Sequence, residues 1–255
     1  SQAIVTEIMP DATTTADTST NSTSTDKPVK TYEYIEIVEG CGVHFGGECL
    51  NVRSGPGTSY PSVYKLRTGV VLKTSEKVAG VDGRDWYKIT FDEWIRYPER
   101  MGGDWYVAAD YVRAFTDPGV QTLDKADTST TTKKIVVDIS DQMMYAYEGD
   151  TLFMSKSVST GIATSPTPKG YFKIFKKLPS RYMQGPLPGI SDDYYDLPGV
   201  PYTMYFTAQG AAIHGAFWHD NFGSLHSHGC VNLPLDDARN LYYWTDLGTP
   251  VIVRQ

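Results

Sequence analysis

Two stretches of the chain are rich in threonine, serine and aspartate and contain very few apolar side chains: Asp11–Lys30 and Asp117–Lys134. Such stretches bury too little apolar surface to offset the entropy lost on ordering, so they cannot form a core. They therefore separate two segments that can fold. The sequence predicts a tether over 1–31, a first domain over 32–116, a linker over 117–133 and a second domain over 134–255.

Length and charge narrow the class of protein further. A chain of 255 residues exceeds the usual size of one domain, which agrees with a division into two. Hydrophobic residues make up 40% of the chain, enough for buried cores, but no run of about 18 apolar residues predicts a membrane-spanning helix. Because 30 acidic side chains outnumber 23 basic ones, the surface is poorly suited to neutralise phosphates, and a nucleic-acid binder is not expected.

The three cysteines divide into a close pair, Cys41 and Cys49, and the distant Cys230. A bridge between the pair would close a short loop, contribute about 2–3 kcal/mol by chain entropy, and persist only in an oxidising compartment. We therefore expect an exported protein. The first ten residues lack the basic start and apolar centre of a signal peptide, so the address is not visible in this sequence.

The first domain is predicted to be a small β-barrel built from short strands separated by turn residues such as Asp82-Gly83. The predicted strands are 34–38, 70–74, 86–90 and 105–107. The segment 50–61, which reads LNVRSGPGTSYP, together with WYKI at 86–89 and ADYV at 109–112, resembles a bacterial SH3 domain. The insertion between the two cysteines and a long excursion over Phe91–Asp104 depart from that pattern.

The second domain is also predicted to be mostly β, with one helix. The predicted strands are 135–139, 143–147, 152–158, 171–175, 203–206 and 251–253. Asp236 and Asp237 favour a helix start, Ala238 and Leu241 recur at helical spacing, and Gly248 is the predicted end.

Four of the five histidines and the remaining cysteine lie within His214–Cys230, which suggests either a metal site or nucleophilic catalysis. Imidazole and thiolate suit zinc, but the spacing contains no Cys-x-x-Cys or His-x-x-x-His pair, so metal is the weaker reading. For catalysis, a thiol with a pKa near 8.5 needs a base or a positive field to ionise, and a nearby imidazole could supply it. Gly229, directly before Cys230, permits a tight turn that aims backbone N–H groups at a developing oxyanion.

Several motifs of this domain resemble the L,D-transpeptidase (YkuD-like) catalytic domain. They are His214-Gly215, SHGCVN at 227–232, PTPKGYFKI at 166–174, AFWHDNFG at 216–223, Leu233-Pro234 and GTPV at 248–251. The resemblance implies that Cys230 attacks the carbonyl between the third stem residue of peptidoglycan and D-alanine. A thioester would form, and the amine of a neighbouring stem would then accept the acyl group in a 3→3 cross-link, with no cofactor and no metal.

The same resemblance assigns roles to individual residues. His214 would be the general base, oriented by the backbone carbonyl of Gly215, while His228, Gly229 and the Cys230 N–H would stabilise the oxyanion. Supporting or substrate-binding positions are expected at Ser227, Asn232, Tyr202, Met204, Trp218 and His219. His219, like His226, could equally be structural, and Trp218 could simply pack.

The stretch Pro179–Pro201 contains five prolines and is predicted to be too irregular for a long helix or a central strand. It is either a lid over the donor peptide, with Tyr202 and Met204 lining the cleft, or a rigid surface loop.

Other functions remain open from sequence alone. Transfer of the acyl group to water would make the chain an L,D-carboxypeptidase, and an idle catalytic domain would leave a peptidoglycan-binding protein. The SH3-like domain either docks on glycan or stem peptide or serves as a spacer. In each case the expected location is extracytoplasmic, in the bacterial cell wall or envelope, and the expected partner is peptidoglycan.

Overall fold

The computed structural model describes residues 29–124, 131–189 and 191–255. The tether predicted over 1–31 therefore lies almost wholly outside the described residues, as does part of the linker. Among the described residues, no helix combines the length and apolar character needed to cross a membrane.

The N-terminal domain is one seven-stranded sheet, in the order β3-β2-β6-β5-β4-β1-β7. Its strands are β1 (Tyr32–Ile37), β2 (Leu50–Arg53), β3 (Ser62–Leu66), β4 (Val71–Ala79), β5 (Asp85–Ile89), β6 (Tyr106–Ala108) and β7 (Val112–Asp117). All neighbouring strands pair antiparallel. The sheet surrounds a core that includes Ile35, Val52 and Trp105. Cys41 and Cys49 form a disulfide beside it.

The C-terminal domain contains two five-stranded sheets, in the orders β11-β10-β9-β17-β12 and β16-β15-β14-β13-β8. The strands are β8 (Gln121–Thr122), β9 (Lys133–Asp138), β10 (Met143–Glu148), β11 (Thr151–Ser157), β12 (Gly170–Lys173), β13 (Lys176–Gln184), β14 (Asp196–Tyr205), β15 (Ala212–Gly215), β16 (Val231–Leu233) and β17 (Pro250–Arg254). The mainly β fold class predicted from sequence is confirmed.

The α-helix of the described residues, α1 (Leu235–Trp244), carries Asp236 and Asp237 in its first turn. The helix ends at Trp244, four residues before Gly248, where the sequence predicts its end. Two groups bond the carbonyls of its last turn: the hydroxyl of Thr245 donates to Leu241 O (2.6 Å), and Lys177 Nζ donates to Tyr242 O (2.7 Å). These partners complete the helix end without a glycine.

The stretch Pro179–Pro201 is not an irregular loop, so that prediction is wrong. It supplies most of the long hairpin β13–β14, whose strands pair antiparallel. Strand β14 pairs with β15 only at Met204 and Tyr205. Its two prolines, Pro198 and Pro201, precede that point and therefore lie where β14 has β13 on one side only, a position at which proline is tolerated.

The hairpin also joins the two domains. Val200 packs in the N-terminal core, while Tyr202 and Met204 pack in the C-terminal core. At Gly199 the hairpin passes so close to β4 that an added Cβ would lie 2.4 Å from Val71 O, and its φ of +70° also favours glycine. The linker joins this architecture as well, since β8 pairs with the edge of β13.

Candidate active site

Cys230 lies at the end of a tight turn, directly before β16. The Ser227 hydroxyl donates to Cys230 O (2.5 Å) and accepts from the Gly229 N–H (3.2 Å). Gly229 has a φ of +107°, which a residue with a Cβ rarely adopts. The turn is therefore closed by a serine side chain and depends on glycine at its tightest point.

The pairing of β15 with β16 brings the predicted catalytic residues to one face of the sheet. The strands run parallel, with Ile213 opposite Val231 and His214 opposite Asn232. Extending this register by one residue places Cys230 opposite Ala212, and the Ala212 backbone hydrogen-bonds the Cys230 side chain. Because alternate residues of a strand face the same side, His214 and Cys230 share a face, with the Ile213–Val231 pair between them.

His214 is 2% exposed, and its Nδ1 lies 3.1 Å from Gly215 O. Burial lowers the pKa of His214 to about 4, so the ring is neutral near pH 7. Since a carbonyl oxygen can only accept, Nδ1 must carry the proton of the neutral ring. Nε2 is then unprotonated and can accept a proton.

Cys230 is half-buried, and its Sγ donates to Gly210 O at 3.8 Å. Burial raises the pKa of this thiol to about 11. The sequence predicts instead that a nearby imidazole lowers the pKa of this thiol. In the structure, burial opposes ionisation of both groups, so the thiol and the ring are both neutral near pH 7.

His228 lies next to the turn but points to the β13–β14 hairpin. Its Nε2 donates to Asp193 Oδ2 (2.7 Å), and its ring stacks on Tyr195 with centroids 5.6 Å apart. Hydrogen bonding to His228 lowers the pKa of Asp193. Burial raises the pKa of Tyr195, and the negative charge of an ionised Cys230 would raise it further, so the ring lies within electrostatic range of the sulfur.

His219 and Asn232 are buried, at 3% and 1% exposed. Asn232 Nδ2 lies 2.9 Å from His219 Nε2, and His219 Nδ1 accepts from the Asn221 N–H at 3.2 Å. Burial lowers the pKa of His219 to about 4. The two side chains therefore support the Cys230 turn from inside the domain, where burial leaves them almost no surface to offer a substrate.

Tyr202 and Met204 do not line a cleft, which corrects the prediction. They are 2% and 0% exposed within the C-terminal core. Tyr202 instead accepts a bond from Arg239 Nε at 2.9 Å. Trp218 is half-buried with its ring 5.8 Å from that of His214, so it borders the site.

Three residues that contact the site were not predicted to do so, although all three lie in the two segments 166–174 and Pro179–Pro201 discussed above. Thr167, inside the PTP motif, donates to Cys230 O at 3.4 Å and accepts from the Gly161 N–H at 2.8 Å. Asp193 and Tyr195 belong to the supposed irregular stretch, and their approach to His228 has no local sequence signal. Within the described residues, no group of three or more His, Cys, Asp or Glu side chains is arranged to hold a metal ion.

Comparison with known proteins assigns the two domains. Residues 132–253 match the family model described as the L,D-transpeptidase catalytic domain, and residues 49–112 match that of the bacterial SH3 domain. A curated protein of Mycobacterium tuberculosis, named "Probable L,D-transpeptidase 3", is 35% identical over 102 residues. That match spans 38% of this chain and 37% of the relative, so well under half of the relative's length is represented.

Two solved structures are also similar to parts of this chain, at lower sequence identity. An L,D-transpeptidase from Mycobacterium smegmatis is 21% identical, with a TM-score of 0.47 over 72% of this chain and 99% of that one. The catalytic domain of the Enterococcus faecium L,D-transpeptidase is 28% identical, with a TM-score of 0.43 over 49% of this chain and 98% of that one. On the strength of the two family models, the chain carries an L,D-transpeptidase catalytic domain, and a bacterial SH3 domain precedes it.

Proposed function

We propose that this chain is a peptidoglycan L,D-transpeptidase that forms 3→3 cross-links through a thioester on Cys230. The observation that carries the proposal is the parallel pairing of β15 and β16, which sets a neutral His214 and a neutral thiol on one face. The family of the catalytic domain supports peptidoglycan as the substrate.

The tautomer of His214 defines the first step. Nδ1–H is held by Gly215 O, so Nε2 takes the proton from Cys230 as the sulfur attacks the donor carbonyl. Proton transfer and attack occur together, because a free thiolate is disfavoured by burial. The C–S bond forms, the amide C–N bond breaks, and the proton passes from Nε2 to the departing amine of D-alanine.

The second step transfers the acyl group. The amine of a neighbouring stem attacks the thioester, gives its proton to His214, and releases the thiol with formation of a new amide bond. Of the oxyanion donors expected from sequence, the Gly229 N–H is bonded to Ser227 Oγ and the His228 Nε2–H to Asp193. We therefore assign the oxyanion to the Cys230 N–H, which the positive φ of Gly229 helps to aim.

An extracytoplasmic location is part of the proposal. The Cys41–Cys49 disulfide persists in an oxidising compartment, which is also where peptidoglycan is cross-linked.

The test incubates wild type and Cys230→Ala with disaccharide-tetrapeptides and follows product masses. Wild type is expected to give dimers that lack one D-alanine, and the intact protein should gain the mass of the acylating stem. Cys230→Ala should give neither, because no other described residue of the site carries a thiol. Release of tripeptides without dimers would overturn transpeptidation in favour of carboxypeptidase activity, and products from Cys230→Ala would overturn the cysteine mechanism.

A further inference from the structure

The excursion Phe91–Asp104, which joins β5 to β6, is the part of the SH3 domain that departs furthest from the SH3 pattern. Its two ends remain with the sheet that it interrupts, where Asp92 pairs with Lys73 of β4 and Asp104 with Lys88 of β5. Its middle extends over the β13–β14 hairpin of the catalytic domain, and polar side chains of each segment bond the other.

The first group of contacts holds β13. Glu93 forms an ion pair with Arg181, and its Oε1 accepts from the Tyr182 N–H at 2.7 Å. Arg181 Nη1 also donates to Trp94 O at 2.8 Å. Because the side chains of Glu93 and Arg181 are 14% and 17% exposed, their interaction is poorly screened by solvent.

The second group holds the end of β13. The Tyr97 N–H donates to Gln184 Oε1 (2.8 Å), and Gln184 Nε2 donates back to Tyr97 O (3.2 Å). The Tyr97 hydroxyl donates to Pro186 O at 2.9 Å. Gln184 is 4% exposed, so both ends of its amide are satisfied by the excursion in a place where an unpaired amide would be costly.

The third group reaches both sides of the loop between the strands. Arg100 Nη1 donates to Gly185 O at 2.8 Å and to Tyr195 O at 3.4 Å. Its guanidinium also lies 3.9 Å from Asp196 Oδ1 and 4.5 Å from the ring centroid of Tyr194. One side chain of the SH3 domain therefore bridges the start and the end of this loop.

The far side of the same loop is the part that contacts the active site. His228 lies two residues before Cys230 in the chain. Asp193 accepts a hydrogen bond from His228, and the Tyr195 ring stacks on the His228 ring. Tyr195 thus receives Arg100 on its carbonyl and presents its ring to His228. The path from the SH3 domain to the catalytic turn consists of two consecutive direct contacts.

We propose that the Phe91–Asp104 excursion is a positioning element of the active site. Through Arg100 and Tyr97 it fixes the hairpin loop where Asp193 and Tyr195 hold His228 against the Cys230 turn. The SH3 domain then contributes to acyl transfer from within the enzyme, in addition to any contact with the wall. This inference rests on the proposed function for its effect on rate, but not for its effect on the position of His228.

The experiment compares the full chain with Arg100→Ala, Arg100→Lys and Tyr97→Phe, and uses Arg84→Ala as the matched control. Arg84 is also an SH3-domain arginine, but its side chain contacts Tyr111 and Asp110 of its own domain. Two properties are measured: the NMR shifts of the His228 ring, which need no substrate, and kcat and KM for acylation by a tetrapeptide donor.

Arg100→Ala is expected to move the His228 ring resonances, because the Tyr195 ring is no longer held over them, and to lower kcat by about tenfold with a smaller change in KM. Arg100→Lys should recover part of both effects, and Tyr97→Phe should show a smaller loss. Arg84→Ala should match wild type. In an Asp193→Asn background, Arg100→Ala should cost much less than it does alone, since both act through the same loop.

Unchanged His228 resonances in Arg100→Ala would overturn the inference, as would an equal effect of Arg84→Ala or fully additive losses with Asp193→Asn. If wild type lacks transpeptidase activity, the proposed function fails while the His228 resonances still decide the positioning role. If Arg100→Ala does not fold, Tyr97→Phe, which removes a single hydroxyl, decides in the same way.

Discussion

The two domains treat polar side chains differently. In the SH3 domain, ion pairs such as Lys77–Asp85 (2.7 Å) lie at the surface, with side chains about half exposed. In the catalytic domain, burial lowers the pKa values of His214 and His219 and raises that of Cys230, so all three groups are neutral near pH 7. The comparison teaches that the domain with the candidate site holds its histidines and its thiol neutral by burial, so these groups should make the stability of the whole molecule depend on pH.

The largest expected effect is the loss of stability in acid. The unfolded chain protonates each histidine near pH 6.5, whereas folded His214 and His219 take up a proton only near pH 4. The free energy of unfolding should therefore keep its highest value above pH 6.5. It should fall as the pH drops towards 4, by about 3 kcal/mol for each histidine. Denaturant titrations across this range measure the slope.

Two single variants sharpen this result. His219→Gln should reduce the acid loss by about half of the two-histidine contribution. His44→Gln, which changes a histidine of the SH3 domain whose side chain is 73% exposed, should leave the slope unchanged. Equal slopes in His219→Gln and wild type would contradict the assignment of this loss to buried, neutral histidines.

A buried carboxylate of the SH3 domain is an exception to this contrast between the two domains and therefore tests it. Glu36 belongs to the SH3 domain but is 6% exposed, and it pairs with Arg239 of α1 and with Arg113 of β7. Replacing Arg239 by Met should lower the free energy of unfolding by about 3 kcal/mol, because the buried carboxylate keeps only one partner.

Asp236→Asn is the control for that change. This change removes the other acidic partner of Arg239. Because the Asp236 side chain is 85% exposed, we expect almost no effect on the free energy of unfolding. Similar losses in the two variants would show that burial of Glu36 does not govern the strength of the interdomain ion pair.

The smallest expected effect concerns two lysines of β4. Lys77 has a half-exposed side chain and an exposed partner, so Lys77→Ala should leave Tm unchanged. Lys73 is 13% exposed, pairs with Asp92 and lies 3.6 Å from the centroid of the Tyr32 ring, so Lys73→Ala should lower Tm. Thermal unfolding of both variants at low and high salt checks the contrast, which fails if Lys77→Ala is the more damaging change.

Much of the fold is predictable because its signals are local. Alternating apolar residues and tight turns locate strands such as β4, β5 and β10, and the acidic first turn locates α1. The motif around Cys230 also indicates the turn that the structure contains. What sequence could not show is how elements distant in the chain pack together.

The hairpin illustrates that limit. Strand β14 lies between two domains and is buried on both faces from Pro198 to Met204, while Tyr202 has a φ of +57° that interrupts regular alternation. The interpretation of Pro179–Pro201 as a lid over the donor peptide therefore misplaced Tyr202 and Met204 in a cleft. The approach of Asp193 to His228 likewise depends on tertiary packing that no spacing of residues encodes.

The interleaving of the two cores bears on how the protein can be divided. Tyr34 and Val71 of the SH3 domain pack with the catalytic core, and Val200 and Phe217 of the catalytic domain pack with the SH3 core. Cutting the chain at the linker would remove apolar partners from each half and expose a hydrophobic surface to water. Either half produced alone should aggregate more readily than the whole, and the two should fold as a single cooperative unit.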